Sequence, residues 1–250
     1  MKIEFISKYA DWFLHPVPVK KVMPDWYKKL DVLINKNQNM PTIRKCVPVL
    51  DAVSMGYAIL APSDLAFTKE AHETFEDGSC NYKITGSTGR EDLIQKPNPP
   101  DLNYKIEGHA QAQVAEDTFY PDEMPMALKL LNPWIIKTPP GYSCIFTPPF
   151  NTERRDIRII TGIVDTDKFL NHVNFPFALR DWDETKNPIK IVKKGTPIAL
   201  VFPFKRDDWK MEVKHEPKLY EKHMNKWGWD YFSNYIDIYR NKIWTKKNYK

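Results

Sequence analysis

The sequence predicts a mainly β protein, and two observations carry this fold class. Twenty-one prolines are scattered from Pro16 to Pro217, and each interior proline costs an α-helix about 3 kcal/mol. Long helices are therefore excluded from most of the chain. Short runs that alternate or are rich in β-branched residues remain, and such runs predict strands. The predicted strands are residues 42–50, 57–60, 135–137, 143–147, 157–164, 189–192 and 197–204.

A polar stretch, residues 71–121, interrupts the strand pattern. It includes DGSCNYKITGSTGRED (residues 77–92) and QKPNPPDLN (residues 95–103), and glycine, asparagine and proline are typical of turns. We predict an elaborated insertion that contains hairpins, rather than a separate domain.

The C-terminal tail has a different composition. Proline stops at Pro217, and LYEKHMNKWGWDYFSNYIDIYRNKIW (residues 219–244) is predicted to be helical, with Phe232, Ile236, Tyr239 and Ile243 on one face. Aromatic stripes of this kind usually lie in a core, so we expect the tail to lie on its own domain or on a neighbouring subunit. A membrane surface or a partner's groove are the alternatives.

Charge and hydropathy limit the classes of partner. Residues 214–250 hold nine Lys/Arg and four Asp/Glu, a net charge of +5 that equals that of the whole chain. The body is therefore formally neutral, and no nucleic-acid-binding surface is predicted. The first residues include Glu4, Lys8 and Asp11 and do not resemble a secretory signal. No apolar run approaches the roughly 20 residues of a membrane-spanning helix, so we expect a soluble, cytoplasmic protein without a membrane span.

Cysteine and histidine spacing does not predict a metal site. Cys46, Cys80 and Cys144 lie far apart, and neither a C-x-x-C pair nor an H-E-x-x-H motif is present. Reduced structural thiols are the expectation. The alternation of residues 142–146 places Cys144 on the same face as Tyr142 and Phe146, which favours a buried thiol over an activated one.

Four segments, in order, resemble the motifs of dUTPases and their dCTP-deaminase relatives, which share the β-clip fold. SMGYAILAPSDLAF (residues 54–67) is similar to the first motif, A-G-Y-D-L followed by a proline-bearing turn. KTPPGYSCIFTPPFN (residues 137–151) is similar to the P-P-G-x-Y turn and strand that lead into the P-R-S signature. GIVDTD (residues 162–167) is similar to G-V-I-D-x-D-Y, and IVKKGTPIALVFPF (residues 191–204) is similar to I-x-x-G-D-R-I-A-Q-L.

The whole chain more closely resembles a family of uncharacterised phage and bacterial proteins. The shared segments are PDWYK (24–28), KTPPGYS (137–143), VDTD (164–167), VNFPF (173–177) and KGTP (194–197). This resemblance implies an architecture and not an activity. The architecture it implies is an N-terminal extension (1–41), a dUTPase-like β-clip core (42–213) with an insertion at about 71–121, and a basic aromatic C-terminal helix (214–250).

The chain departs from the dUTPase motifs at the positions that would contact a nucleotide. An alanine replaces the aspartate of the first motif, and PPFN (residues 148–151) replaces the P-R-S signature. A lysine replaces the tyrosine that stacks on the sugar, and a proline and a leucine replace the arginine and glutamine of the fourth motif. The altered positions are Ala58, Phe150, Lys168, Pro197 and Leu200.

Asp165 alone falls where the resemblance implies the aspartate that activates water. With Asp167 it could hold a cation if the strand continues, whereas in a turn Asp167 would cap backbone amides. Cationic donors for a phosphate are missing at the matching positions, although Arg154, Arg155, Lys205 and Arg206 could substitute, with solvated surface charge as the ordinary alternative. The candidate ligand-binding residues are Tyr57, Asn151, Asp165, Asp167, Lys168 and Phe169, with Asp165 catalytic only in an enzyme.

These expectations favour a non-catalytic, phage-related, dUTPase-like protein that acts as a binding or assembly module. The alternatives are a hydrolase of a nucleotide or another small phosphorylated ligand, which would use Asp165 and Mg²⁺, and a virion or other structural component. No cofactor is expected for the first. We expect a homo-oligomer, with a trimer implied by β-clip relatives, and a nucleotide-like small molecule as a candidate ligand. A phage-encoded chain would act in the host cytoplasm or in the virion.

Overall fold

The described residues form a mainly β structure, as predicted. The structure, a computed structural model, describes residues 1–34, 40–74, 80–88, 106–109, 113–124, 128–152, 156–234 and 238–250. The strands are β1 (Glu4–Ile6), β2 (Val17–Pro18), β3 (Tyr57–Leu60), β4 (Leu65–Thr74), β5 (Cys80–Thr88), β6 (Ile106–Gly108), β7 (Leu128–Leu130), β8 (Ile135–Lys137), β9 (Tyr142–Thr147), β10 (Ile157–Ile159), β11 (Gly162–Val164), β12 (Phe175–Leu179), β13 (Ile189–Val192) and β14 (Pro197–Lys205).

Helices in these ranges are few and mostly short. The α-helices are α1 (Asp25–Lys29), α2 (Val47–Ala52) and α3 (Pro217–Asn234). Four 3-10 turns (Ala10–Trp12, Val19–Val22, Ile43–Lys45 and Glu116–Thr118) and a π-helical turn (Tyr239–Ile243) complete the described elements. None of the described helices is long and apolar enough to cross a bilayer.

All pairing between the described strands is antiparallel. The largest sheet has five strands in the order β11-β9-β14-β3-β2, and the others are β10-β12-β7-β6, β13-β4-β5 and β1-β8. Strand β14 lies in the centre of the five-stranded sheet, and its near-continuous apolar run, buried from Ile198 to Phe202, is typical of a strand covered on both faces. It pairs with β9 from Leu200 opposite Thr147 to Lys205 opposite Tyr142.

The sheets contact one another through aromatic side chains. Phe67 on β4 and Phe177 on β12 lie with ring centres 5.9 Å apart, and Phe146 on β9 lies 5.8 Å from Phe175 on β12. Burying one such side chain contributes about 1.5–3 kcal/mol. Strand β12 therefore joins the core of the five-stranded sheet to that of the β13-β4-β5 sheet.

Most predicted strands are confirmed, and two are corrected. Residues 42–50 were predicted as a strand, but they form a 3-10 turn followed by α2. Thr42 caps the turn by accepting the Arg44 amide, and Pro48 lies in the first turn of α2, where its missing N–H costs nothing. The predicted strand 157–164 is broken, because Ile160 donates its amide to the Pro176 carbonyl at 2.8 Å. As a result β10 joins β12, while β11 joins β9.

The insertion is only partly described. Its hairpin begins before residue 71, because β4 runs from Leu65 and pairs with β5, so this part extends the core. Residues 86–88 end β5, and residues 89–105 lie outside the described ranges.

The end of the tail lies on its own chain. The Trp244 indole N–H donates to the Asp51 carboxylate at 3.0 Å, and the Lys247 ammonium lies 2.6 Å from the same group. The Tyr249 ring meets the Tyr57 ring edge-on at 5.6 Å. This is one of the two placements expected for the tail, and it holds for these last residues, whereas residues 207–228 are all exposed.

Candidate functional site

A turn after β11 carries the two aspartates of GIVDTD. Strand β11 ends at Val164, and the amides of Lys168 and Phe169 donate to the Asp165 carbonyl at 2.9 and 2.8 Å. The strand does not continue, so the two carboxylates are in a turn, the second of the two arrangements considered from the sequence. The Asp165 side chain is 53% exposed, whereas that of Asp167 is 6% exposed.

Arg206 holds Asp167. Strand β14 pairs with β9 as far as Lys205, and the next residue, Arg206, therefore lies beside this turn. Its guanidinium donates to both Asp167 oxygens, at 2.9 and 2.5 Å. The Gly141 amide donates to Asp167 Oδ2 at 2.8 Å, which is the backbone capping expected of a turn aspartate. These bonds, first the one from Arg206, hold the pKa of Asp167 well below its usual range, and the Asp167 bond raises the pKa of Arg206.

Ser143 links Asp165 to the same arginine. The Ser143 hydroxyl donates to Asp165 Oδ1 at 2.6 Å and accepts from Arg206 at 2.8 Å, and Arg206 lies 3.2 Å from Asp165 Oδ1. One oxygen of Asp165 is thereby fixed on an otherwise exposed carboxylate. Such a carboxylate can orient a water or a ligand hydroxyl. The two carboxylates outnumber the one guanidinium, so this group of three side chains has a net negative charge.

A group of buried side chains, Thr138, Cys144 and Thr166, forms hydrogen bonds next to the turn. The hydroxyls of Thr138 and Thr166 lie 2.7 Å apart, and Thr166 donates to the Cys144 sulfur at 3.3 Å. Burial raises the pKa of Cys144 to about 11, so its thiol is protonated at neutral pH. The prediction of a buried, unactivated thiol is confirmed for Cys144, whereas Cys46 is exposed.

The structure brings four of the six candidate ligand-binding residues together and separates two. Lys168 and Phe169 follow Asp165 and Asp167 in the turn. Tyr57 instead packs against Phe5 and Tyr249. Asn151 has a left-handed backbone, with φ 49°, and its carbonyl accepts the Trp26 indole N–H at 2.7 Å.

The other altered motif positions meet in a small group of apolar side chains. Ala58 is fully buried with Leu200, Phe202 and Val19, and Phe150 stacks on Phe202 with ring centres 5.3 Å apart. Pro197 lines the same group, and the remaining cavity leaves only about 10 Å³ for water. We call Val19, Ala58, Phe150, Pro197, Leu200 and Phe202 the apolar cluster.

The N-terminal segment packs against one side of the apolar cluster. Strand β2 pairs with β3 at Ala58 and Tyr57, and the Val19 amide donates to the Gly56 carbonyl at 3.0 Å. Val22 and Pro24 line the cavity from the same segment. Sequence reasoning identified the altered positions but missed this covering segment. The alternation of valine with proline in residues 16–19 was the available signal.

We expect Asp167→Asn to lower Tm by several degrees at neutral pH. Because the native pKa of Asp167 lies below its unfolded value of 3.8, its stabilising effect is present above that value and is lost as the pH falls further. The Tm difference between Asp167→Asn and the wild type should therefore shrink when thermal unfolding is measured below about pH 4. Asp165→Asn is the control, since a half-exposed carboxylate should change Tm less. A Tm difference that is independent of pH would contradict the pairing with Arg206.

Comparisons with known proteins do not add to this geometry. No protein-family model matches the chain, and no curated protein or solved structure matches it either. Within the described ranges, no three His, Cys, Asp or Glu side chains converge in a way that could hold a metal ion. The interpretation of the site therefore rests on the residues themselves.

Proposed function

We propose that this chain is a non-catalytic, phage-related binding or assembly module built on a dUTPase-like β-clip core. The observation that carries the proposal is the apolar cluster. Four of the altered motif positions, Ala58, Phe150, Pro197 and Leu200, lie in it together. Had they changed independently, nothing would require them to share one packed group of apolar side chains.

The sheet topology supports the dUTPase-like core. The four segments that resemble the dUTPase motifs contribute β3, β9, β11 and β14, and these are neighbours in the five-stranded sheet, in the order β11-β9-β14-β3. Segments far apart in sequence thus assemble as parts of one site would. We infer that the chain retains the arrangement of that site and has lost its polar lining.

The charge around the turn also favours binding over phosphate chemistry. A triphosphate needs cationic or amide donors and usually Mg²⁺. Arg206 is bonded to Asp167 and Ser143, and the Gly141 amide is bonded to Asp167. These donors would have to leave their present partners to bind phosphate.

One observation favours the alternative of a hydrolase. Asp165 is 53% exposed, and its Ser143 bond orients one oxygen as a water-activating base would require. This arrangement supports the hydrolysis of a small phosphorylated ligand at the turn as the second candidate function.

We predict no hydrolysis of dUTP and no deamination of dCTP by the full chain with Mg²⁺. Released pyrophosphate and deaminated product should stay at the level of the Asp165→Asn variant, because the phosphate-reading positions are apolar. Turnover that exceeds this level in the wild type, with both proteins equally folded by circular dichroism, would favour the hydrolase and contradict the module.

We further propose that the module assembles as a homo-oligomer, for which a trimer is the form implied by β-clip relatives. A nucleotide-like small molecule belongs to the hydrolase alternative, in which the exposed Asp165 carboxylate and the neighbouring Phe169, which is 44% exposed, would contact it.

A further inference from the structure

A segment after β14 that forms neither helix nor strand has the sequence pattern of a strand. Trp209, Met211 and Val213 alternate with polar residues and are 91%, 86% and 86% exposed. A period of two with one apolar face is typical of a half-buried strand. In the part of the chain that the structure describes, no backbone hydrogen bond joins residues 207–215 to another element. Such a face is costly to leave in water.

The exposed apolar surface continues along the first part of α3. Leu219, Tyr220, Met224 and Trp227 are 41%, 67%, 52% and 40% exposed, and their spacing places them on one helix face. Taking about 200 Å² for a fully exposed large side chain, these four and the three in the preceding segment expose roughly 900 Å². This is close to the roughly 800 Å² that each partner buries in a standard interface. We call residues 207–228 the arm.

Strand β13 forms a sheet edge whose alternating apolar side chains are similar in spacing to those of the arm. Strand β13 lies at the end of the β13-β4-β5 sheet and pairs with β4 alone among the described strands. Its alternate residues Ile189 and Ile191 are 49% and 43% exposed, while Val192 is buried. A strand added at this edge would continue the sheet and place its apolar residues beside the two isoleucines.

The arm of the same copy begins at the far end of β14, which belongs to a different sheet from β13. Strand β14 follows β13 in the chain. It is about 26 Å long, at roughly 3.3 Å per residue, and the arm begins after it. The arm holds five lysines and five acidic residues, so it lacks the positive charge that attracts an anionic membrane or a nucleic acid. A second copy carries both the matching edge and an arm of its own, so the exchange can be repeated.

We propose that residues 209–213 of the arm add as a strand to the β13 edge of a second copy of this chain. This inference rests on the proposed assembly function and names the surface through which assembly occurs. Strand addition satisfies the unpaired backbone groups of both partners, and the arm's half of α3 covers apolar surface next to the new strand.

Light scattering on paired variants tests the arm and the edge separately. We expect an oligomer for the wild type and a monomer for Trp209→Ser/Met211→Ser/Val213→Ser and for Ile189→Glu/Ile191→Glu. The matched controls are Lys210→Ser/Glu212→Ser/Lys214→Ser, on the polar face of the arm, and Ile163→Glu, on a different sheet edge. Both controls should remain oligomers. Thermal unfolding verifies that every variant is folded.

Mixed cross-linking tests whether the contact joins two copies. In a Cys46→Ser/Cys80→Ser background, a Met211→Cys chain is mixed with an Ile191→Cys chain and treated with a short bismaleimide. We expect a cross-linked pair that contains one chain of each kind. A third chain carries both cysteines. If this chain cross-links within its own monomer and the mixed chains form no cross-linked pair, the proposal is overturned.

The outcomes separate this inference from the proposed function. An oligomer that survives both the arm and the edge variants would overturn the arm contact and leave the assembly module standing. A wild-type monomer at every concentration would overturn both. Cosedimentation of the wild type with phosphatidylserine vesicles, lost in the apolar-face arm variant, would assign the arm to a membrane and overturn the contact between copies.

Discussion

Ala58→Asp is expected to unfold the protein or to lower its Tm by about 10 °C or more, a loss on the order of 4 kcal/mol. Ala58 is fully buried in the apolar cluster, where an ionised carboxylate would lose its hydration without gaining a partner. The substitution restores the residue type that the resemblance implies at this position. A nucleotide site with an open polar lining would tolerate it, whereas the fully buried position of Ala58 in an apolar cluster cannot.

The pH dependence of Ala58→Asp identifies the cause of its effect. Burial would raise the native pKa of the introduced carboxyl above its unfolded value, so the penalty is smallest at low pH and grows as the pH rises through that interval. Thermal unfolding at pH 4 and pH 7 measures this trend. Ile163→Asp places the same charge on an exposed position of the same sheet and is the control. Equal Tm values for the two variants would mean that the apolar cluster is open.

Gly56→Ala is expected to cost about 2–5 kcal/mol, from left-handed strain and from overpacking. Gly56 has φ +79°, and a Cβ atom there would lie 2.7 Å from two carbons of the Phe202 ring and from the Val201 carbonyl oxygen. The Phe202 ring is 9% exposed and stacks on Phe150, so moving it away would disrupt this packing. The variant should therefore disturb the apolar cluster at the Phe202 ring.

Gly195→Ala separates strain from collision. Gly195 has almost the same φ, +82°, but its nearest neighbour to an added Cβ is Leu14 Cδ1 at 3.9 Å. Denaturant unfolding of both variants should show a clearly larger loss for Gly56→Ala. Similar losses would mean that Phe202 moves aside and that the apolar cluster is loose.

Local pattern was sufficient to predict several strands with their bounds. The strands at residues 57–60, 135–137 and 189–192 coincide with β3, β8 and β13, because alternation and β-branched content are local properties. The pattern failed at residues 42–50, where Pro48 suits a first helical turn as well as a strand end. It also missed β12, because a proline inside a run, here Pro176, argues against a strand.

The contacts of the candidate site were less predictable than its residues. GIVDTD indicated Asp165 and Asp167, but only the β9–β14 register shows that Arg206 is the cation bonded to them. The apolar character of Ala58, Pro197 and Leu200 was visible in the sequence. Their convergence under Val19 and Val22 depends on long-range packing, which no short motif encodes.

The proposed loss of a nucleotide site is tested most directly by titrating the full chain with the non-hydrolysable analogue α,β-imido-dUTP in the presence of Mg²⁺ and measuring the heat of binding. Because Ala58, Phe150, Pro197 and Leu200 lie in the apolar cluster at positions where the resemblance implies nucleotide contacts, we predict no saturable binding, in the wild type or in Asp165→Asn. Saturable, Mg²⁺-dependent binding by the wild type that Asp165→Asn abolishes would contradict the proposed non-catalytic module and favour the turn as a nucleotide site.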